Sequence, residues 1–259
     1  MEKQKGLWKI FIFSALSFII SGTVMAVAFA KSGVHPFGNQ QILVVDLWHQ
    51  YYPFFRVLRE KLLTGGSFLY SWENGMGTNF LSLISYYAMS PLNWISVFFS
   101  DENARDALTF ILVLKIGFAG GFFSYFLGYT FGRKDISITA FGILFALCSY
   151  TLGYYWNVMW FDTIALFPLV MTGVTAICRE GKWKLFTISL ALSLISNYYI
   201  GYFTCLFTVI AFAVMAICCC KGVKDCIYKL WITARSSVIG IALGGFILLP
   251  AYFGLKLTY

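Results

Sequence analysis

Long apolar runs alternate with short polar breaks along this chain, and the runs have the length of bilayer crossings. Apolar stretches at 10–30, 107–131, 136–155, 161–178, 185–196, 201–220 and 238–252 are separated by groups of lysine, arginine, glycine and asparagine. A helix rises about 1.5 Å per residue, so about twenty apolar residues cross a hydrocarbon core roughly 30 Å thick, and a helix pairs its own backbone there. The pattern predicts an all-α polytopic membrane protein of about seven transmembrane helices, built as a single module over 1–259. The double-length run 185–220 needs a tight turn, which Ser196-Asn197-Tyr198-Tyr199-Ile200-Gly201 supplies.

Residues 31–106 form the one long polar interruption and are expected as a large first loop carrying interfacial helices. Within it, 80–99 is apolar enough to span, but Ser90-Pro91-Leu92-Asn93 breaks it near the middle. Counting it as a span puts Arg133 with Lys134, then Arg179, Lys182 and Lys184, then Lys221, Lys224, Lys229 and Arg235 outside the cell. Leaving it as a re-entrant or interfacial hairpin puts all three groups in the cytoplasm, as the positive-inside rule favours. The N-terminus is then cytoplasmic, the C-terminus external and the large loop extracytoplasmic. Lys3, Lys5 and Lys9 precede the first run, which ends in the cleavage-like triplet Ala28-Phe29-Ala30. That run exceeds the about 7–15 residues of a signal-peptide core, so it is expected to stay as the first span.

Composition narrows the function classes. Of 259 residues, 59% are hydrophobic and only 12% charged, so the net charge of +8 resides in loops and does not describe a nucleic-acid surface. The seven cysteines lie in or beside apolar runs, and Cys218 to Cys220 have no CxxC partner or nearby histidine, which reads as small buried hydrophobes. No GxxxxGK[ST] pattern offers a nucleotide phosphate cradle.

Polar chemistry gathers in Asp46-Leu47-Trp48-His49-Gln50-Tyr51-Tyr52-Pro53. If Asp46 opens a helix, it caps free N–H groups while His49 and Gln50 share its face. Beyond Pro53, Phe55, Leu58 and Leu62 recur at helical spacing opposite Arg56, Arg59, Glu60 and Lys61, a pattern expected to rest its apolar face on lipid. On the favoured topology the outer face collects Asp46, His49, Gln50, Arg56, Arg59, Asn74, Asn79, Asn157, Asp162 and Asn197, with Tyr51 and Tyr198 from the same motifs. Nucleotide-activated donors are scarce outside the cell, so a transferase there would use a membrane-borne donor such as a polyprenyl-phosphate sugar. That chemistry needs a carboxylate to take the acceptor proton, cations for the departing phosphate, and a groove for the lipid. Asp46, Arg56 with Arg59, and the amphipathic helix are the respective candidates. Each has a plainer alternative: a helix cap for Asp46 and Asp162, an interfacial hydrogen bond for His49, and headgroup contact for the arginines. A divalent cation shared by Asp46 and Asp162 is the one metal reading, and two acids are too few to assert it.

The segment from Asp46 to Pro53, the turn Asn74-Gly75-Met76-Gly77-Thr78-Asn79, Ser90-Pro91-Leu92-Asn93 and Ser196-Asn197-Tyr198-Tyr199-Ile200-Gly201-Tyr202 together resemble the bacterial YfhO family. The resemblance implies a GT-C-type glycosyltransferase in the bacterial cell membrane, with an early catalytic acid in the first external loop. It makes Asp46 the catalytic residue, with a polyprenyl-phosphate sugar as donor and a cell-envelope polymer such as teichoic acid as acceptor. Members of that family continue into further spans, so this chain, ending at Tyr259, is expected to be a piece of a longer protein. The competing readings are a transporter or flippase of a lipid-linked sugar, for which Lys115 within a span is the one cue, and a non-catalytic membrane scaffold.

Overall fold

The computed structural model describes residues 2–256, with side chains from residue 7 onward, so the side chains of Lys3 and Lys5 and the terminal Tyr259 lie outside the described residues. The chain is helical apart from one two-residue hairpin. Helix α1 (Glu2–Lys31) leads into the loop, which holds a short π-helical turn (Leu47–Tyr51), α2 (Tyr52–Thr64), strands β1 (Tyr70–Ser71) and β2 (Thr78–Asn79), α3 (Phe80–Tyr87) and a 3-10 segment (Pro91–Phe98). Then follow α4 (Ala104–Phe131), α5 (Ser137–Ala146), α6 (Ser149–Gly153), α7 (Phe161–Glu180), α8 (Lys184–Ser196), α9 (Tyr198–Cys219), α10 (Val223–Leu243) and α11 (Gly245–Lys256). The antiparallel hairpin pairs Tyr70 with Asn79 and Ser71 with Thr78.

Among the described residues, five helices are long and apolar enough to cross a membrane: Leu7–Lys31, Ala104–Phe131, Phe161–Glu180, Tyr198–Cys219 and Val223–Leu243. Two of the seven expected runs yield shorter helices. The run 136–155 breaks at Leu147 and Cys148 into α5 and α6, and α8 has 13 residues, about 20 Å at 1.5 Å each, less than the hydrocarbon core. The last run, 238–252, straddles Gly244, so its halves belong to α10 and α11. Lys224, Lys229 and Arg235, expected in a loop, therefore lie on α10. There Lys229 pairs with Asp225 at 2.7 Å, one helical turn away. The apolar run 80–99 is no continuous helix. Ser90 and Pro91 separate the eight-residue α3 from the 3-10 segment, because proline can begin a helix but not continue one from the preceding turn.

The apolar side of α2 corrects a second expectation. Phe55 and Leu58 are 2% and 1% exposed and pack inside the protein. Phe55 joins a core built from Met25, Phe29, Leu108 and Leu112, whereas Val57 and Leu58 meet Phe80, Ile84 and Ala88 of α3. This helix thus docks the loop onto the bundle through the face that the sequence pattern assigned to lipid.

The bundle itself is drawn together by small residues. Ser14, Ser17 and Ser21 are buried on one face of α1, and Gly117, Gly120, Gly121 and Gly128 lie on α4. A Cβ at Gly120 would stand 2.5 Å from Ser21 Oγ, and one at Gly142 of α5 would stand 2.6 Å from the Gly120 carbonyl oxygen. Hydrocarbon gives helices no hydrophobic reason to associate, so close backbone approach and dispersion hold such seams. Gly173 makes the same approach between α7 and α8, where a Cβ would meet the Phe186 backbone at 2.5–2.6 Å.

Gly142→Ala and Gly173→Ala should each lower stability by about 1–3 kcal/mol, since the obstacle is backbone and cannot turn aside. Gly153→Ala, with open space around it, should not. Unfolding midpoints in detergent micelles check the difference, and equal midpoints for all three variants would contradict the seam.

Candidate functional site

The loop segment before Asp46 is fastened to the start of α4. His35 Nδ1 lies 2.7 Å from Asp106 Oδ1, and Arg105 donates to Gln41 at 3.2 Å. Ile42, Leu43 and Leu47 are buried anchors on either side of Asp46, which is itself half-buried. Between them Val45 has φ +48°, a left-handed conformation that a β-branched residue resists. This kink feeds the π-helical turn, closed by the Tyr52 N–H donating to the Leu47 carbonyl, a rare geometry that concentrates at functional sites.

Asp46 stands in helical backbone at the head of that turn and makes no side-chain capping bond. The capping role open from the sequence is therefore not the one the geometry uses. Its charge instead acts on a group of tyrosines. Burial, with the Asp46 charge as the next cause, holds the Tyr51 hydroxyl well above its ordinary pKa. Tyr86 and Tyr87 are raised chiefly by burial as well, with Asp46 contributing to both. These hydroxyls stay protonated at neutral pH, and those of Tyr51 and Tyr87 act as donors.

Other expected site residues serve as the frame around it. Tyr51 donates to Asn157 Oδ1 at 3.1 Å and stacks on Trp156, and Tyr87 donates to Gln50 Oε1 at 3.2 Å. Asn197, fully buried, accepts from the Ile200 N–H to cap α9 and donates to the Tyr86 carbonyl at 2.7 Å. Tyr198 lies against Tyr86 with ring centroids 5.9 Å apart. Asn79 caps α3 through the Ser82 N–H. His49 is exposed.

Two cavities flank this frame. One, of about 480 Å³, is lined by Asn79, Ser82, Tyr86, Tyr87, Tyr198 and Gly254 among others. The second, about 670 Å³, lies beside α2 and the hairpin and is lined by Arg56, Glu60, Glu73, Asn74 and Asp101 among others. Asp46 lines neither, and Tyr86 and Tyr87 connect its electrostatic reach to the first. Sequence reasoning passed over these two tyrosines. Their signal is the aromatic doublet just ahead of the Ser90-Pro91 break, placed there by the end of α3.

Both arginines line the second cavity, where Arg56 is exposed and Arg59 is 6% exposed and engaged by the protein. Its guanidinium donates to the Ser96 carbonyl at 3.0 Å, to the Phe99 carbonyl and to the Asp101 carboxylate. Arg59, expected on a donor phosphate, thus clamps α2 to the 3-10 segment, where the chain needs a fixed fork of donors for three acceptors.

Asp162 likewise belongs to an interior contact. It is 6% exposed, with Oδ2 2.7 Å from Lys115 Nζ and Oδ1 accepting from Ser90 Oγ at 2.7 Å. Lys115, 1% exposed, also donates to the Val158 carbonyl at 2.9 Å. The ammonium of α4, the carboxylate of α7 and the hydroxyl of the loop break thereby neutralise one another next to a cavity of about 180 Å³. Both Asp162 oxygens are engaged, so a cation shared with Asp46 does not fit this geometry. Among the described residues no group of three or more histidine, cysteine or acidic side chains could hold a metal ion.

Helices of spanning length, with a half-buried carboxylate that has no ion pair among the described residues and a tyrosine frame in the loop, define an integral membrane protein with a polar loop site. The profile described as "Bacterial membrane protein YfhO" matches residues 17–259, and the chain belongs to that family. No curated protein and no solved structure matches it.

Lys115→Met and Asp162→Asn should each destabilise the fold by about 3–5 kcal/mol, because either leaves a buried group without its partner. The double variant should recover most of the loss, and a double-mutant cycle on unfolding in micelles reads the coupling. Additive losses would show that the pair is not the tie. Arg59→Met should cost about 1–3 kcal/mol and speed proteolysis of the 64–79 loop, whereas Arg56→Met should leave both unchanged. A protease time course compares them.

Proposed function

We propose that this protein is a membrane glycosyltransferase that moves a sugar from a polyprenyl-phosphate donor to an extracytoplasmic cell-envelope acceptor, such as teichoic acid. Membership of the YfhO family supports this, and the observation that carries it is Asp46. Among the described residues it is a carboxylate without a capping bond or ion pair, following the strained backbone of Val45 and set among protonated tyrosines. Strain beside a carboxylate that lacks a partner costs stability and is retained where the group has another task.

In this reading the Asp46 carboxylate takes the proton of the acceptor hydroxyl. The freed oxygen attacks the anomeric carbon, the bond from that carbon to the phosphate oxygen breaks, and polyprenyl phosphate leaves from the opposite face with inversion. Arg56, exposed at its cavity with Asn74 beside it, meets the phosphate charge. His49, Gln50, Tyr51, Asn79 and Tyr198 border the sugar and acceptor. Transport of a lipid-linked sugar would call for an ionisable group free to change partners within the bundle. Lys115 is held by both Asp162 and the Val158 carbonyl, which favours the transferase.

Asp46→Asn removes the proton acceptor while keeping shape, and no capping bond is lost with it. Transfer from a labelled polyprenyl-phosphate sugar in membranes should fall by about a hundredfold to ten-thousandfold, with the unfolding midpoint unchanged. A folded Asp46→Asn protein that transfers at the wild-type rate would remove Asp46 from the mechanism. Translocation without transfer by the wild type would replace this reading with the transporter.

A further inference from the structure

At the ends of α4, α7 and α9 away from the loop, the three helices leave a groove of about 740 Å³ between them. Its walls are almost wholly apolar, among them Phe126, Phe167, Met171, Phe207, Val214 and Met215, and one cation, Arg179, stands at its end. All three helices are long and apolar enough to span, so the groove opens onto hydrocarbon and its occupant must come from the bilayer.

Length selects among bilayer components. The groove follows α7 from Phe167 to Arg179, twelve residues on, which at 1.5 Å per residue is about 18 Å. That is little more than half of a hydrocarbon core of roughly 30 Å, the depth of one leaflet. A single acyl chain fits this depth, and a polyprenyl chain, made to reach much further, does not.

Charge selects the headgroup. Arg179 donates to the Thr130 carbonyl at 2.7 Å, which fixes the guanidinium at the groove mouth, yet it makes no carboxylate ion pair among the described residues. Its acidic neighbour Glu180 is bonded by Tyr129 and paired with Lys182, so that carboxylate is neutralised from the other side. Lys134 and Lys184 follow at the same helix ends, with Arg133 paired to Asp135 at 3.2 Å, so cations outnumber acids there. A basic residue at the mouth of an interhelical groove is the arrangement that binds phosphate headgroups.

We propose that this groove is a binding site for an anionic glycerophospholipid, with one acyl chain along α7 and α9 and the phosphate on Arg179. It lies at the opposite end of the helices from Asp46, so its occupant is a structural lipid and no donor of the transferase reaction.

Native mass spectrometry of the chain released from micelles tests this with phosphatidylglycerol and phosphatidylcholine of identical chains. The wild type should retain phosphatidylglycerol selectively. Arg179→Gln should lower that retention about fivefold to tenfold, to the phosphatidylcholine level, while Arg179→Lys keeps most of the preference. Lys134→Gln, a charge removed off the groove, should leave it unchanged. Equal retention of the two lipids by the wild type would overturn the site, as would a full preference surviving in Arg179→Gln. An equal loss in Lys134→Gln would assign the attraction to the basic surface as a whole. Displacement of phosphatidylglycerol by an equimolar polyprenyl phosphate would overturn the assigned occupant.

Discussion

How closely other helices can approach α4 decides the architecture. One side of α4 is stripped to Gly117, Gly120, Gly121 and Gly128, which lets α1 and α5 come to backbone contact. Another side carries Lys115, a charge that is costly to leave alone in a bilayer and that α7 answers with Asp162. Dispersion thus places α4 on one flank and electrostatics on the other. Because Ser90 also bonds Asp162, the same contact sets the height at which the loop rests on the bundle.

That placement passes upward through specific side chains. Tyr51 reaches down to Asn157 at the foot of α7, Asn197 links the head of α9 to the Tyr86 carbonyl, and Arg59 binds α2 to the end of the 3-10 segment. Asp46 sits within this lattice without taking part in it. On the proposed mechanism, a carboxylate held by its neighbours' bonds and not by its own keeps its lone pairs for a substrate, and the Val45 backbone carries the cost.

Much of the fold was legible in the chain because hydrophobic length is a blunt physical requirement. The long spans, the break at Pro91 and the turn at Asn197 all followed from it. Segments 136–155 and 185–196 gave helices shorter than a hydrocarbon core, because apolar composition marks a run as suited to a membrane without fixing where its helix begins or breaks. The face of α2 failed for the same reason: Phe55, Leu58 and Leu62 announce an apolar surface and say nothing of whether lipid or α3 lies against it. At the site, the sequence offered Asp46 as one member of the polar cluster 46–53, and only the family resemblance set it ahead of a plain helix cap. It did not separate Arg56 from Arg59, which differ only in which acceptors the fold brings near. Asp162 was legible as an acid and illegible as the partner of Lys115, since that pairing exists only once α4 and α7 are side by side.

The Lys115 to Asp162 contact also bears on how the chain is made. Synthesis delivers α4 to the membrane before α7, so Lys115 enters the bilayer while its counter-ion has yet to be translated. On insertion scales a central lysine costs about 2.5–3.5 kcal/mol, which the apolar remainder of α4 has to outweigh alone. Until Asp162 arrives, the half-built protein has one uncompensated charge within the membrane. The apolar run Phe110 to Leu114 just before Lys115 is then a requirement of birth order as much as of the finished fold.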